Sequence, residues 1–254
     1  MSARATAREA AIISRPENKL VLNRRPGCEM LSLLGGADEA GRGCIVGPLV
    51  VAGVSATRLG VRQLKELGVK DSKMLSSRQR KILYPEILKI CDRTCSACIE
   101  PSEIDNVVRN GKKFRRLNYL EAIYFAKVID KLDARQVTVD ACDSVPKRSE
   151  DNIRDNLKTS CRVTALHKAD RDYPIVSAAS IIAKVERDME VEKLRRKHGD
   201  FGSGYPSDPL TRDFFIERMR RDEPLPTYVR QSWKTWDRLR RDCQLLLTGE
   251  PRIG

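Results

Sequence analysis

Apolar residues change their period several times along the chain, and each change predicts an element. Leu31 to Ala37 and Val46 to Ala56 read as two strands joined by a tight turn. The second is a near-continuous apolar run, as in a strand buried on both faces. From Arg78 to Ile90 the apolar residues Ile82, Leu83, Ile87 and Leu88 recur at helical spacing behind Ser76, a residue type that caps helix starts. Thr94 to Ile99 is a short strand pattern, and Pro101-Ser102-Glu103 opens a short helix. Leu117 to Leu132 places apolar residues every three or four positions and predicts a core helix. Gln136 to Asp140 and Arg162 to Leu166 are two more strands. A long helix follows from Pro174 to His198, with proline in its first turn. Beyond a glycine-rich stretch, Gly199 to Pro209, two Arg-rich helices are expected at Leu210 to Arg221 and Tyr228 to Leu247.

The early strands adjoin and helices follow, so the pattern is mixed α/β rather than strict βαβ alternation. Ligands on such sheets sit beyond strand ends. With 254 residues and 41% hydrophobic content, the chain can bury one good core plus a smaller appendage. The expected division is a disordered N-terminal extension at 1–29, a main α/β domain at 30–200, a helical C-terminal region at 201–247 and a tail at 248–254.

Charge narrows the partner. Lys and Arg number 48 against 35 Asp and Glu, a net charge of +13, and such a field concentrates polyanions. Only 5% of residues are aromatic, which argues for phosphate contacts rather than base-stacking platforms. No apolar run is long enough to cross a bilayer. The N-terminus lacks the layout of a secretory signal, and its acids Glu9, Glu17 and Glu29 speak against an organellar presequence. A cytoplasmic location is expected, with the eight cysteines as free thiols. Cys91, Cys95 and Cys98 have the spacing of a cluster-binding motif. They stand at a helix-to-strand handover where small buried cysteines are common, and packing is the preferred reading.

Three predicted strands end on acids: Asp38 with Glu39, then Asp140, then Asp170 just past the strand before the long helix. Successive strand side chains point to opposite faces. Asp38 and Glu39 therefore share a site only if the strand ends there and the loop carries one of them. Four converging carboxylates repel one another unless cations occupy the gap. An oxygen-only ligand set suits Mg²⁺ or Mn²⁺, and two histidines are too few for zinc. Two such cations about 4 Å apart could hold a phosphodiester and activate water for strand cleavage. The competing reading from another class is a non-catalytic nucleic-acid binder whose acids are structural. Metal dependence of product formation separates the two.

Several motifs occur in order: GADEAGRG followed by IVGPLVV, the DSK at Asp71 to Lys73, HKADRDYPIVSAASIIAKVERD from His167, GSGYPSDP from Gly202, and VRQSWKT from Val229. Together they resemble type 2 ribonuclease H, in its archaeal single-chain form. The resemblance implies the ribonuclease H-like fold, a central mixed β-sheet flanked by helices, with a C-terminal helical extension that grips the substrate. It implies a metal-dependent endonuclease that cuts the RNA strand of RNA/DNA hybrids and cuts 5′ of ribonucleotides embedded in duplex DNA. The products would carry 5′-phosphate and 3′-hydroxyl ends, and the roles would lie in ribonucleotide excision and RNA primer removal.

By the same resemblance, Asp38, Glu39, Asp140 and Asp170 are the catalytic acids and hold two divalent cations, Mg²⁺ or Mn²⁺. The turn Gly41-Arg42-Gly43 senses the 2′-hydroxyl, the atom that tells RNA from DNA. Tyr205 packs on the sugar of the following deoxynucleotide, and Lys73, Lys168 and Lys184 are candidate phosphate contacts. Ser177 and Ser180 are assigned to helix packing. Cys44 stands after the turn where many relatives carry proline, so a fixed φ is lost there. Gln244 to Leu247 lacks the paired aromatics of a sliding-clamp binding peptide, and a monomer is expected. The type 3 ribonuclease H is less suited, since it carries an extra N-terminal domain and lacks the junction tyrosine.

Overall fold

The computed structural model describes residues 11–15, 18–24, 32–69, 74–111 and 117–248. Seven strands form one sheet: β1 (Ala11–Arg15), β2 (Asn18–Arg24), β3 (Leu33–Ala40), β4 (Leu49–Ala56), β5 (Arg93–Ile99), β6 (Ala134–Asp140) and β7 (Arg162–Leu166). Their spatial order is β1-β2-β5-β4-β3-β6-β7. β3 is antiparallel to β4 and parallel to β6, which is parallel to β7. Three neighbouring strands, β3, β6 and β7, thus end on one edge of the sheet.

Nine helices are described: α1 (Arg58–Glu66), α2 (Ser77–Ile90), α3 (Pro101–Asn110), α4 (Leu117–Ile129), α5 (Pro146–Arg154), α6 (Ala169–Asp172), α7 (Pro174–His198), α8 (Pro209–Arg220) and α9 (Thr235–Thr248). The capping signal behind α2 is present in full, since Ser76 Oγ accepts from the Gln79 amide and the Gln79 side chain accepts from the Ser76 amide. None of the described helices is long and apolar enough to cross a membrane.

Backbone contacts divide the described residues into two units. The first comprises those within Met1–Ala40, Val50–Cys98 and Glu121–Val185, and so contains the sheet. The second comprises those within Gly41–Leu49, Ile99–Leu120 and Glu186–Gly254. In the first unit β4 is buried at every position, as its unbroken apolar run requires. Ala52, Val54 and Ala56 pack with Leu64, Val176, Ala179 and Ile182, each large side chain contributing about 1.5–3 kcal/mol on burial. Gly36 is where α7 meets the sheet. A Cβ there would lie 2.5 Å from the Ile175 carbonyl carbon, so only glycine lets the backbones of β3 and α7 touch.

The second unit is built on aromatic packing rather than a sheet. Phe201, Phe215, Tyr228, Trp236 and Leu239 form its core with Ile45 and Val46. α9 inserts Trp236, Leu239 and Cys243, spaced as one helical face. Asp105 of α3 is buried and accepts from the amides of Gln231 and Ser232 and from the Ser232 hydroxyl.

Several expectations are corrected. The tight turn between the first two predicted strands is a long connection. β3 runs on through Asp38 and Glu39 to Ala40, β4 begins only at Leu49, and Val46 instead bridges Val229. Positive φ at Gly41 and Gly47 and a bond from the Ile45 amide to the Gly204 carbonyl hold this segment in the second unit. The helix expected from Tyr228 starts at Thr235, because the Asp105 bonds hold Gln231 and Ser232 outside helical geometry. Residues 11–15 and 18–24, expected within a disordered extension, form β1 and β2. β2 satisfies the main-chain groups of β5, and its Leu20, Val21 and Leu22 are half-buried. The division expected at 200/201 also differs from the observed grouping, in which the second unit resumes at Glu186 and draws in 41–49 and 99–120.

Candidate active site

In the first unit, sheet direction sets the candidate centre. Asp38 lies near the C-terminal end of β3, Asp140 is the last residue of β6, and Asp170 follows β7 at the start of α6. Each offers a carboxylate oxygen, and these oxygens lie within 4.8 Å of one another. Among the described residues, no other group of three or more potential metal-ligating acids, histidines or cysteines is that close. Cys91, Cys95 and Cys98 are buried, in no disulfide, and form no such group among the described residues.

Local bonds hold two of these acids. The Ala169 amide donates to Asp140 Oδ1 at 2.8 Å, tying the end of β6 to the segment that carries Asp170. The Glu39 amide donates to Asp38 Oδ1 at 2.8 Å. Lys168, which precedes Asp170, takes a left-handed conformation with φ 58° and is exposed. Ser177 Oγ donates to the Asp170 carbonyl, in keeping with its packing role.

Asp38 and Asp170 are 4% and 1% exposed, so two of three negative groups sit almost out of water. Burial pushes the Asp38 carboxyl up to about 7, and the neighbouring Asp140 adds to the rise. A hydrogen bond from Ser180, the Glu39 amide and the charge of Lys184 act in the opposite direction. Lys184 Nζ in turn donates to Ser180 Oγ at 3.0 Å. Ser180 is therefore more than a packing residue, because it bonds an acid of the cluster. The sequence signal for this was available, since Ser180 and Lys184 stand one helical turn apart on α7.

Glu39 is not in the close group. Both it and Asp38 lie inside β3, opposite Val51 and Ala52 of β4, and strand alternation separates their side chains. Lys73 lies outside the described residues. The three-carboxylate set fits a hard divalent cation: its donors are all oxygen, and its charge is buried, which favours a cation over three ionised acids held in proximity.

The other predicted residues belong to the second unit. Gly41 has φ +90°, and a Cβ on it would lie 3.0 Å from the Pro48 carbonyl oxygen. The Cys44 amide donates back to the Gly41 carbonyl, closing the turn. Arg42 Nη2 donates to Asn118 Oδ1 at 2.6 Å, and Gly43 is exposed with open space beside it. Arg230, buried and missed in the sequence, donates to the carbonyls of Arg42 and Gly47. Tyr205 is 37% exposed. Its hydroxyl faces Cys44, and burial pushes its pKa up to about 12. The second unit thus brings Tyr205 together with the Gly41-Arg42-Gly43 turn.

Residues 35–236 match the family model for Ribonuclease HII. The chain is 43% identical over 204 residues to Ribonuclease HII of Pyrococcus furiosus, covering 80% of this chain and 88% of that protein. The crystal structure of ribonuclease H2 from Pyrococcus horikoshii OT3 superposes with a TM-score of 0.74 at 40% identity, covering 84% of this chain and 99% of the other. The RNase HII in the PCNA:RNase HII complex from Archaeoglobus fulgidus gives a TM-score of 0.73 at 44% identity, covering 82% and 96%. With a matching fold, an acidic cluster at adjoining strand ends and this extent of similarity, the chain belongs to the ribonuclease HII family of ribonuclease H hydrolases.

Proposed function

We propose that this protein is a divalent-metal-dependent endonuclease that hydrolyses the RNA strand of RNA/DNA hybrids and the phosphodiester 5′ of ribonucleotides embedded in duplex DNA. The products carry 5′-phosphate and 3′-hydroxyl ends, and the activity serves ribonucleotide excision and removal of RNA primers. The observation that carries the reading is the convergence of Asp38, Asp140 and Asp170 at the ends of three adjacent parallel strands.

Asp38, Asp140 and Asp170 would hold Mg²⁺ or Mn²⁺, with Glu39 contributing from the same strand end as the fourth acid of a two-cation site. Such ions, when bound, neutralise the scissile phosphate and activate water. The protein's own part is to limit the protonation that burial favours and to hold the acids in register. Ser180 donates a hydrogen bond to Asp38, and the ammonium of Lys184 backs Ser180, so both oppose protonation of the acid. The Ala169 amide does the same for the orientation of Asp140. Lys184 and Lys168, with Lys73, are the proposed contacts to flanking phosphates.

Recognition is assigned to the second unit. The Gly41-Arg42-Gly43 turn reads the 2′-hydroxyl, glycine allowing backbone groups to approach the sugar. Tyr205 packs on the next deoxyribose, where a 2′-hydroxyl would crowd its ring. Exposed arginines on α8 and α9, such as Arg220, Arg238 and Arg241, supply a positive surface for the duplex backbone. The relative from Archaeoglobus fulgidus is solved with PCNA. For this chain we propose a monomer that does not use Gln244 to Leu247 as a clamp peptide, since that stretch has no paired aromatics.

The test is an end-labelled duplex carrying one ribonucleotide, incubated with and without Mg²⁺ or Mn²⁺ and mapped for the cut. A single metal-dependent cut on the 5′ side of the ribonucleotide is expected. Binding without any product in either metal would replace this reading with the non-catalytic one.

A further inference from the structure

In the second unit, a side chain outside every role assigned so far joins the two elements proposed to read the junction. Cys44 directly follows the Gly41-Arg42-Gly43 turn and has no solvent exposure. Its sulfur accepts a hydrogen bond from Arg187 Nη2 at 3.0 Å. The Tyr205 hydroxyl also faces this sulfur, in the donor sense.

Arg187 closes the arrangement. Its guanidinium lies 4.9 Å from the centre of the Tyr205 ring, a cation–π distance. The same Nη2 donates to the Ser203 carbonyl at 2.7 Å, two residues before Tyr205. Its aliphatic stem packs against Gly41, where an added Cβ would meet Arg187 Cγ at 3.3 Å. The Tyr205 ring is therefore held at its face by a cation and at its hydroxyl by a thiol, and both holders also touch the Gly41 to Cys44 turn. A ring with one exposed edge and two buried anchors has little freedom to tilt.

We infer that Cys44 is a positioning residue for Tyr205, its sulfur fixing the ring at the height and tilt from which it discriminates deoxyribose from ribose on the 3′ side of the cut. The inference rests on the junction-reading role proposed for Tyr205 and adds the determinant that sets its geometry. A residue without a side-chain acceptor at this position would leave the tyrosine hydroxyl without this partner. A polarisable sulfur is a weak acceptor, yet Cys44 is fully buried, and on that side an unmet hydroxyl costs more than a poor bond.

The experiment compares kcat/KM on a duplex with a single ribonucleotide and on a continuous RNA/DNA hybrid, for Cys44→Ala, Cys44→Ser, Tyr205→Ala and Cys44→Ala/Tyr205→Ala, all checked for folding by thermal melting. Removing the sulfur should lower single-ribonucleotide cleavage by about five- to tenfold, the scale of one hydrogen bond, and hybrid cleavage by less than about twofold. Cys44→Ser, whose hydroxyl also accepts, should recover most of the selectivity. Cys44→Ala should have no further effect once Tyr205 is alanine, because the two act as one unit.

A direct readout uses 3-fluorotyrosine labelling, with the Tyr205 signal identified from its loss in Tyr205→Phe. That fluorine resonance should shift or broaden in Cys44→Ala and return in Cys44→Ser. Equal losses on both substrates for Cys44→Ala, or an additive double variant, would overturn the inference even if Tyr205→Ala is selective. An unselective Tyr205→Ala would instead remove the junction role itself. In that case an unmoved fluorine signal would also refute the positioning claim, and a moved one would leave Cys44 as an anchor of a tyrosine with no discriminating role.

Discussion

The two units hold their functional groups by different means. In the first, three acids come from the ends of β3, β6 and β7, and main-chain pairing sets their spacing. In the second, Tyr205 and the Gly41-Arg42-Gly43 turn sit on loops and are held by side chains: Arg187, Cys44 and Arg230. A sheet is stiff and repeats its geometry, which suits charges that must converge within a few ångströms. Loops fastened by buried guanidinium groups can be shaped residue by residue, which suits discrimination between two sugars. On the function proposed, chemistry falls to the regular part of the molecule and selectivity to the irregular part.

The sharpest way to break this comparison is to remove one acid. Asp140→Asn should lower cleavage by on the order of 10³-fold on every substrate, with hybrid binding changed by less than about threefold. Product yield and a filter-binding or fluorescence titration check the two arms. A loss confined to single ribonucleotides would place selectivity in the first unit as well.

Asp38 offers a test in which activity and stability move in opposite directions. Its folded pKa of about 7 lies above the ordinary carboxylate value of 3.8. The native state thus holds the proton more tightly than the unfolded chain does. The stabilisation is complete below about pH 4 and is lost as pH rises towards 7 and past it. Without metal, Asp38→Asn should therefore be more stable than the wild type at pH 8, by on the order of 2–4 kcal/mol, while being inactive. Mg²⁺ should raise the wild-type Tm more at pH 8 than at pH 5, and should do little for the variant. A variant that melts below the wild type at pH 8 would contradict the assigned cost of burying that charge.

A smaller effect sharpens the contrast in mechanical terms. Gly36→Ala would force its Cβ against the Ile175 backbone and should cost about 1–3 kcal/mol, read as a lower Tm. Cleavage of both substrates should fall together, because β3 carries Asp38. Retained activity on hybrid with loss on single ribonucleotides would not fit an acid-bearing strand.

Much of this was legible in one dimension. The unbroken run in β4, the Ser76 cap of α2 and the proline at the start of α7 report local preferences, and local preferences write themselves into adjacent residues. Asp38, Asp140 and Asp170 could be named because each falls where a strand pattern stops, and strand ends are where sheet ligands sit. Glu39, the acid next to Asp38 in the same motif, stays outside the close group of three, because the pleat of a strand that continues to Ala40 turns neighbouring side chains apart. β1 and β2 escaped notice because the pairing of β2 with β5, onto which β1 adds, is a long-range choice with only a short apolar signal.

By itself the order of residues determined most of the elements, the candidate acids and the family, since periodicity, capping and contiguous motifs are properties of neighbours along the chain. Only the tertiary structure decided which elements share a unit, that Ser180 bonds Asp38, and that Cys44 and Arg187 meet at Tyr205. Arg187 lies 143 positions from Cys44. A contact across that separation forms because both side chains find their partners inside one packed core, and no local pattern of residues encodes it.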